Sequence, residues 1–598
     1  MCDIAHKHNE TQRISRRRST LVFAPGERAL AASGWLPIVA HRSVYSRELL
    51  GVRARRGPRQ LCVLWPQGKP TFLCLRATGI GFAGPTGCEQ RPKAREADAR
   101  SGATVYHSSK GETGSRGFCE KEESEMIAVR YQQRTIYEPL AVNVMPDYNE
   151  LLWEGWLLKV DKFLEDEDLV KIVREALEKR HPNSRTRGRL GTPAEVVLRL
   201  MALKHLRNWS YQTLEREVRA NVVYREFTRI RGEKVPDSKT MVRWGKALGP
   251  KVTRAIHDRV VDLGHKRGVV RGRKLRVDTT VTETDIHYPT DSGLLGDVVR
   301  VLTRTMKQIE REVGDVGTRL RDRTRSVKHR LIEIGRSAMR KSEGAVARRT
   351  EAYRKLVATT KKVMGQAKLF SEEVAAGGKQ ASTLGGQLLI QGLAIYLEEM
   401  LGLAARVLKQ TKARVLEGNR HYADKLYSVF EVHTEAIRKG KLSKPTEFGK
   451  LVQIQEAEHQ IITDYKVFAD RPADQELLIP AIEKHREIFG WVPQLVASDA
   501  GFFSLENVRQ AKELGVKRVA VPNKKGRDQA RWKEQKQRWF RRAQRWRVGC
   551  EGRISVLKRR HGLRRCRYRG MDGMERWVGW GVIADNLIHM GKLLPKKG

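Results

Sequence analysis

Lys274, Leu275, Arg276, Val277, Asp278, Thr279, Thr280, Val281 and Thr282 form the stretch on which the fold turns. Leu275, Val277, Thr279 and Val281 alternate with Asp278, Thr280 and Thr282, the period of a strand with two unlike faces. An acid inside such a strand is costly to bury unpaired, so Asp278 is a first candidate for chemistry. Downstream, residues 426–432 and 451–468 read as further strands and 473–489 as a helix. Residues 495–501 are a buried-type strand that ends in Asp499 and Gly501; 505–514 is a helix and 519–522 another strand. Strand, helix, strand, helix, strand in this order predicts an α/β sheet with helices on its faces. An apolar helix over 577–594 is expected to close the core.

Upstream of the sheet the text is helical. Leu152, Trp156, Leu157, Val160, Phe163 and Leu164 recur at helical spacing, and a second helix follows around 169–177. After the basic stretch 185–189, Thr192 is placed to cap a helix with Pro193 in its first turn. Val196, Val197, Leu200, Leu203 and Leu206 make one apolar stripe of that helix. Asn208, Trp209 and Ser210 form a turn, 211–218 a short helix, and Asp237 to Thr240 lead into Met241, Val242, Trp244 and Leu248. Short basic helices joined by tight turns are compatible with a helix-turn-helix reader; an ordinary helical bundle has the same signature.

Length and charge bound the rest. The 598 residues carry 116 Lys+Arg against 69 Asp+Glu, a formal net charge of +47. At roughly 150 residues per domain this is about three to five domains. So large a surplus attracts polyphosphates and makes nucleic acid the first partner to test. No run of about 18 uncharged apolar residues is present, so a membrane-spanning helix is not expected. The seven cysteines form no CxxC pair, which supports neither a zinc module nor a disulfide framework, and a reducing compartment is the simpler reading. Residues 1–125 hold five of those cysteines and show no sustained period. They read either as a low-order basic tail or as translation upstream of a true start at Met126. Residues 301–420, without a proline, carry 25 Lys+Arg against 12 Asp+Glu and read as a basic helical insertion.

Two further stretches bear on chemistry. Residues 524–547 hold eleven Lys+Arg, two acids, Trp532, Trp539, Phe540 and Trp546. Aromatics interleaved with arginine can stack on bases while guanidinium groups hold phosphates, so Arg531, Trp539, Arg541, Arg542 and Arg545 are expected to touch DNA. A charged helix with one aromatic core stripe would look the same. Asp499 joins Asp278 as an acid at a strand end in apolar text. Carboxylates converging at one sheet edge suit two hard divalent cations about 4 Å apart, equipment for attack on a phosphodiester. A third acid should come from a helix beside that edge. On a helix, Arg547 and Lys558 share the face of Glu551, although Gly549 and Gly552 weaken that helix and a surface ion pair of Glu551 with Arg547 has the same spacing.

Taken together, Val277 to Val281, then His287 to Ser292, then Ser498 to Phe502, then Glu551 with Lys558 behind it resemble the DDE transposases of bacterial insertion sequences, and within them the group written ISNCY. Residues 192–248, with Trp209, Ser210, Tyr211, Pro236, Asp237 and Ser238, resemble the helical N-terminal domain of these proteins. The likeness spans roughly residues 145–594. It implies a ribonuclease-H-like catalytic core over 270–300 and 421–594, interrupted by the insertion and preceded by a helical DNA-binding domain over 145–265. It also implies Asp278, Asp499 and Glu551 as a triad for two Mg2+ (or Mn2+) ions. Arg547 and Lys558 match a signature on the glutamate helix in register, while the tyrosine of that signature is Gln544 here. The implied partners are double-stranded DNA, as terminal inverted repeats and target, and a second copy of the chain on that DNA, in the bacterial cytoplasm with the nucleoid. A repressor with a decayed core and a metal-dependent nuclease without strand joining are the rival readings.

Overall fold

The helix over Ala194–Leu206 is buried along all thirteen of its residues, Glu195, Arg199, Lys204 and His205 included. The computed structural model describes residues 152–180, 191–314, 316–419, 421–438, 444–523 and 529–593; the expectations for residues 1–125, 185–189 and 524–528 lie outside them. In chain order the first elements are α1 (Gly155–Phe163), α2 (Glu167–Glu178), α3 (Ala194–Leu206), α4 (Tyr211–Ala220), α5 (Val222–Phe227), α6 (Ser238–Ala247) and α7 (Pro250–Lys266). Their local grammar is conventional: Asp166, Ser210, Asn221 and Asp237 each accept a hydrogen bond from a backbone N–H of the helix they precede. The start of α3 differs from expectation. Pro193, not Thr192, is the residue before the first turn. Nor is α3 a one-sided stripe, because its neighbours surround it. Arg199 meets Asp161 and Glu195, and Arg229 meets the same Asp161 at 2.9 Å, so the charges inside are paired.

The sheet follows: β1 (Lys274–Glu283), β2 (Glu435–Ile437), β3 (Glu447–Glu456), β4 (Ile462–Val467), β5 (Leu495–Ala497) and β6 (Arg518–Ala520). Its order is β2-β3-β1-β5-β6, with β4 also on β3. β1 is antiparallel to β3, with Asp278 opposite Ile454, and parallel to β5, with Arg276 opposite Ala497. β5 is parallel to β6. Gly449 is required in β3, since a Cβ there would lie 2.0 Å from the Thr282 carbonyl oxygen. The expected strand over 426–432 is not formed; Leu426 and Val429 are spent on a helical core instead, and pairing begins at Glu435.

That helical core belongs to α8 (Asp291–Val313), α9 (Thr324–Ala338), α10 (Glu343–Ala375) and α11 (Leu384–Thr411), inserted between β1 and β2. Leu294, Val298, Leu302, Leu356, Phe370, Ile390 and Leu397 are among its buried residues. The helical unit thus starts at Asp291 rather than at 301, and residues 291–300 leave the sheet domain. Contrary to the absence expected above, the stretch Leu384–Leu416 is long and apolar enough to cross a membrane by length and composition. In the fold it packs on α8 and α10 through Ile390, Leu397, Met400 and Val407.

The two sheet faces are covered by different helices. Leu275, Val277, Val281, Val496 and Val519 meet α12 (Leu478–Phe489) and α13 (Leu505–Glu513). The opposite face meets α15 (Arg538–Arg560), which follows the short α14 (Gln529–Lys536), and α16 (Gly570–Leu593). On α15 the buried residues Phe540, Ala543, Cys550, Arg553 and Leu557 form the stripe that seats it on the sheet. One face of α16 joins this layer through Met574, Trp577, Val578 and Val582, and the other joins the N-terminal helices through Trp580, Ile583, Leu587 and Met590.

Candidate active site

Asp278 lies within β1, and Asp499 follows two residues after the end of the adjacent parallel strand β5. The register pairs Lys274 with Leu495, Leu275 with Val496 and Arg276 with Ala497, so the chain leaves β5 for Asp499 on the side of β1 that carries Asp278. Alternation gives Asp278 the parity of Arg276, the face covered by α15. The Asp278 side chain is 14% exposed. Its Oδ1 accepts the Thr279 N–H at 2.7 Å, and the Asp499 Oδ1 accepts the Gly501 N–H at 2.9 Å.

Helix α15 brings Glu551 near Asp278. Arg547, 13% exposed, lies between the two acids: one terminal nitrogen is 2.8 Å from the Glu551 Oε1 and the other 4.0 Å from the Asp278 Oδ2. The terminal nitrogens of a guanidinium are about 2.3 Å apart, so these two carboxylates come within about 9 Å of each other. The Arg547 Nε is buried without a hydrogen-bond partner. Glu551 itself is 58% exposed. Behind them Cys550 is buried, and burial together with the nearby Glu456 and Asp278 charges pushes its thiol well above the ordinary range. It is therefore a packing thiol rather than a nucleophile. Arg276 donates to the Trp546 carbonyl and to the buried Glu456, fastening β1 to α15 directly below the acids.

Two residues that the sequence reading did not assign to the site contribute to it. The Gln544 carboxamide donates to the Ser498 carbonyl at 3.3 Å and to the Ala520 carbonyl. It ties α15 to the ends of β5 and β6, one residue from Asp499. Asp474, in the turn before α12, accepts from the Thr279 hydroxyl at 3.0 Å. Its Oδ2 and the Asp499 Oδ1 are each 3.1 Å from the point where a Gly501 Cβ would be. Nothing in its sequence context marks Asp474, which sits in polar loop text; Gln544 was visible only as a departure from a motif.

The acids supply oxygen donors alone, the set that Mg2+ and Mn2+ prefer. Among the described residues no three acidic, histidine or cysteine side chains already converge as a metal site. The donor chemistry fits nonetheless: a cation, the guanidinium of Arg547, already stands between Asp278 and Glu551, where positive charge is electrostatically favoured.

Residues 155–247 match a family model described as a transposase domain (DUF772), and residues 508–591 match one described as a transposase DDE domain. The chain carries two transposase-type domains, the second of the DDE kind. The first match covers α1 to α6, and the second contains β6, Gln544, Arg547, Glu551 and most of α16. No curated protein and no solved structure matches the chain significantly.

In this chain the basic segment divides by exposure. Arg541, Arg542 and Arg545 are exposed on α15, and Lys558 is half-buried on the same helix. Trp539 is half-buried and packs against Phe540 and the Arg518 guanidinium. Arg531 is a correction. Expected at the DNA surface, it is buried, donates to the Val519 and Val521 carbonyls at 3.1 and 2.7 Å, and pairs with Glu534. It closes the end of β6 because, among the described residues, that strand has no further neighbour to take those carbonyls.

Proposed function

We propose that the chain binds the terminal inverted repeats of an insertion sequence, hydrolyses a phosphodiester to free a 3′ hydroxyl, and joins that hydroxyl to target DNA. The observation that supports this reading is Arg547 on α15, which reaches both Glu551 and the strand acid Asp278, with Asp499 following the parallel neighbour β5. A mixed sheet in this strand order, with helices on both faces, supports a ribonuclease-H-like core, and the helices up to α6 a helix-turn-helix-like DNA reader. The ISNCY group is the subfamily we favour.

Asp278, Asp499 and Glu551 would hold two Mg2+ or Mn2+ ions, which when bound supply activation of the attacking oxygen and stabilise the leaving one. In the first reaction water provides the oxygen that bonds to phosphorus as the bond to the 3′ oxygen breaks. In the second that 3′ oxygen attacks a target phosphate and displaces the target's own 3′ oxygen. Arg547 and Lys558 hold the phosphate beside the acids; Arg547 can leave its carboxylates for a phosphate because its pairing is partly exposed. Arg541, Arg542 and Arg545 grip the flanking backbone. A pair of copies working on two ends, in the bacterial cytoplasm, completes the proposal.

The test is Asp278→Asn or Asp499→Asn, assayed on labelled insertion-sequence ends. Asn keeps the shape and removes the charge that holds a hard cation. Cleavage and strand transfer should fall by at least about three orders of magnitude, as loss of charge stabilisation in the transition state implies. End binding should stay near wild type. Cutting at the normal rate by either variant overturns the two-metal reading. Cutting without joining by the unmodified chain favours the nuclease, and binding without cutting the repressor.

A further inference from the structure

At the end of the sheet away from the acids, the segments that begin β1, β5 and β6 surround a cleft of about 660 Å³. Arg271, Arg273, Lys274, Lys517 and Arg518 line it, and all five are exposed. The one acid at the wall is Glu458, whose Oε1 is taken by the Arg273 backbone N–H at 2.7 Å. Among the described residues none of the five cations has a carboxylate partner. The backbone donors here are also used: the Gln494 N–H donates to the Arg273 carbonyl at 2.8 Å and the Arg518 N–H to the Gln494 carbonyl at 3.0 Å. What the cleft offers a ligand is therefore charged side chains. Five cations facing a single carboxylate leave the concavity strongly positive, and a polyanion relieves the repulsion among them.

The cleft is not isolated. It shares Lys517 and Arg518 with a second hollow of about 700 Å³ that adds Lys512 and reaches Trp539. Lys274 and Arg276 lie over the Trp546 ring, at 5.9 and 4.8 Å, and Arg518 over Trp539 at 5.7 Å. Both rings belong to α15, whose exposed arginines follow on the same helix. From Lys274 to Asp278 is four residues of strand, about 13 Å. Basic side chains thus run from the cleft along the first half of α15 toward Arg547 and the acids.

We propose that this cleft is a phosphate-backbone site that holds the duplex DNA continuing past the cut, in one track with the α15 arginines. The proposal rests on the DNA reading above and extends the footprint to the far end of the sheet. It predicts a protein that grips long duplexes more strongly than duplexes ending near the scissile phosphate, by contacts blind to sequence.

The experiment replaces Arg271, Arg273 and Lys517 together by serine in the full chain and measures affinity for a short and a long duplex across salt concentrations. For the long duplex the slope of log affinity against log salt should shrink by about 2 to 3, since each lost phosphate contact removes about 0.9. The short duplex should lose little, and cleavage at saturating DNA should be unchanged. Arg271→Lys with Arg273→Lys and Lys517→Arg, which keep the charge, should restore the slope; failure to restore it would assign the loss to misfolding and overturn the proposal. An unchanged slope in the serine variant overturns it as well, as does an equal loss for double-stranded RNA, which would make the cleft a general polyanion sink. If the unmodified chain neither prefers insertion-sequence ends nor cuts them while the slope still shrinks, the transposase reading fails and the cleft stands.

Discussion

Gly549 and Gly552 lie three residues apart on α15, and the fold treats them oppositely. A Cβ on Gly549 would come within 2.5 Å of the Arg276 guanidinium, whereas a Cβ on Gly552 meets nothing within 4 Å. Glycine in a helix interior costs about 1 kcal/mol relative to alanine. Gly552→Ala should therefore stabilise the protein by up to about 1 kcal/mol. Gly549→Ala should destabilise it by about 1 to 3 kcal/mol despite the same helical gain, because it pushes Arg276 from the buried Glu456. Denaturant melts of the two variants check this, and a stabilising Gly549→Ala would show that Arg276 moves freely. The same positions show what one residue reveals in sequence. Asp278 and Asp499 were legible because a carboxylate inside apolar strand text needs a reason. The glycines of α15 read as weak points of a helix; that one of them makes room for an arginine from another strand is a tertiary fact, invisible to spacing.

At the scale of elements, the helical unit between β1 and β2 leaves and returns at one point. The Thr284 and Thr434 hydroxyls are 2.9 Å apart and both residues are buried. Helices α8 to α11 have a core of their own, and chain ends this close favour an insertion that can be removed. Replacing residues 287–431 by a short Gly/Ser linker should leave the sheet folded, read as a cooperative melt and retained binding of the terminal repeats. Loss of soluble protein would show that contacts such as that of Glu431 to the Gly570 N–H at 3.0 Å are needed by the rest. The insertion was legible from its missing prolines and its charge, and the β1, β5 and β6 strands from their alternation or apolar runs. What failed was residues 426–432, whose apolar residues signal burial without saying against what; Leu426 and Val429 are buried by helices, not by a sheet. The one-sided reading of α3 failed for a related reason. Lys204, Arg199 and Glu195 look like a solvent face until the partners that bury them are known.

At the scale of the whole molecule, α16 joins the N-terminal helices to the sheet, and Lys204 sits at that joint. It is 2% exposed, with the rings of Tyr211, Tyr568 and Trp577 at 4.8, 5.1 and 5.2 Å from its Nζ. Burial, aided by the Arg567 charge, pushes its amine down to about 7. Neighbouring His205 is held well below its usual range by burial and by Lys204 itself. In the unfolded chain the lysine keeps its ordinary value, so between about pH 7 and 9 the unfolded state binds the extra proton. Stability should rise with pH across that window, by up to about 1.4 kcal/mol per unit for one proton. Above about pH 9 the tyrosines oppose the trend: burial raises Tyr211 and Tyr568 in the fold, so the unfolded chain loses their protons first. Below pH 7 the folded protein carries a buried charge steadied by ring faces, each worth about 0.5 to 2 kcal/mol, and by the neutral His205 Nε2 at 3.4 Å. Lys204→Met fills the same space without a charge. It should raise the melting temperature at pH 7 and flatten the pH 7 to 9 rise. A Met variant that melts lower at pH 7 would show that the ammonium in its cage of rings holds the two domains together, and an intact slope would show that another group titrates there.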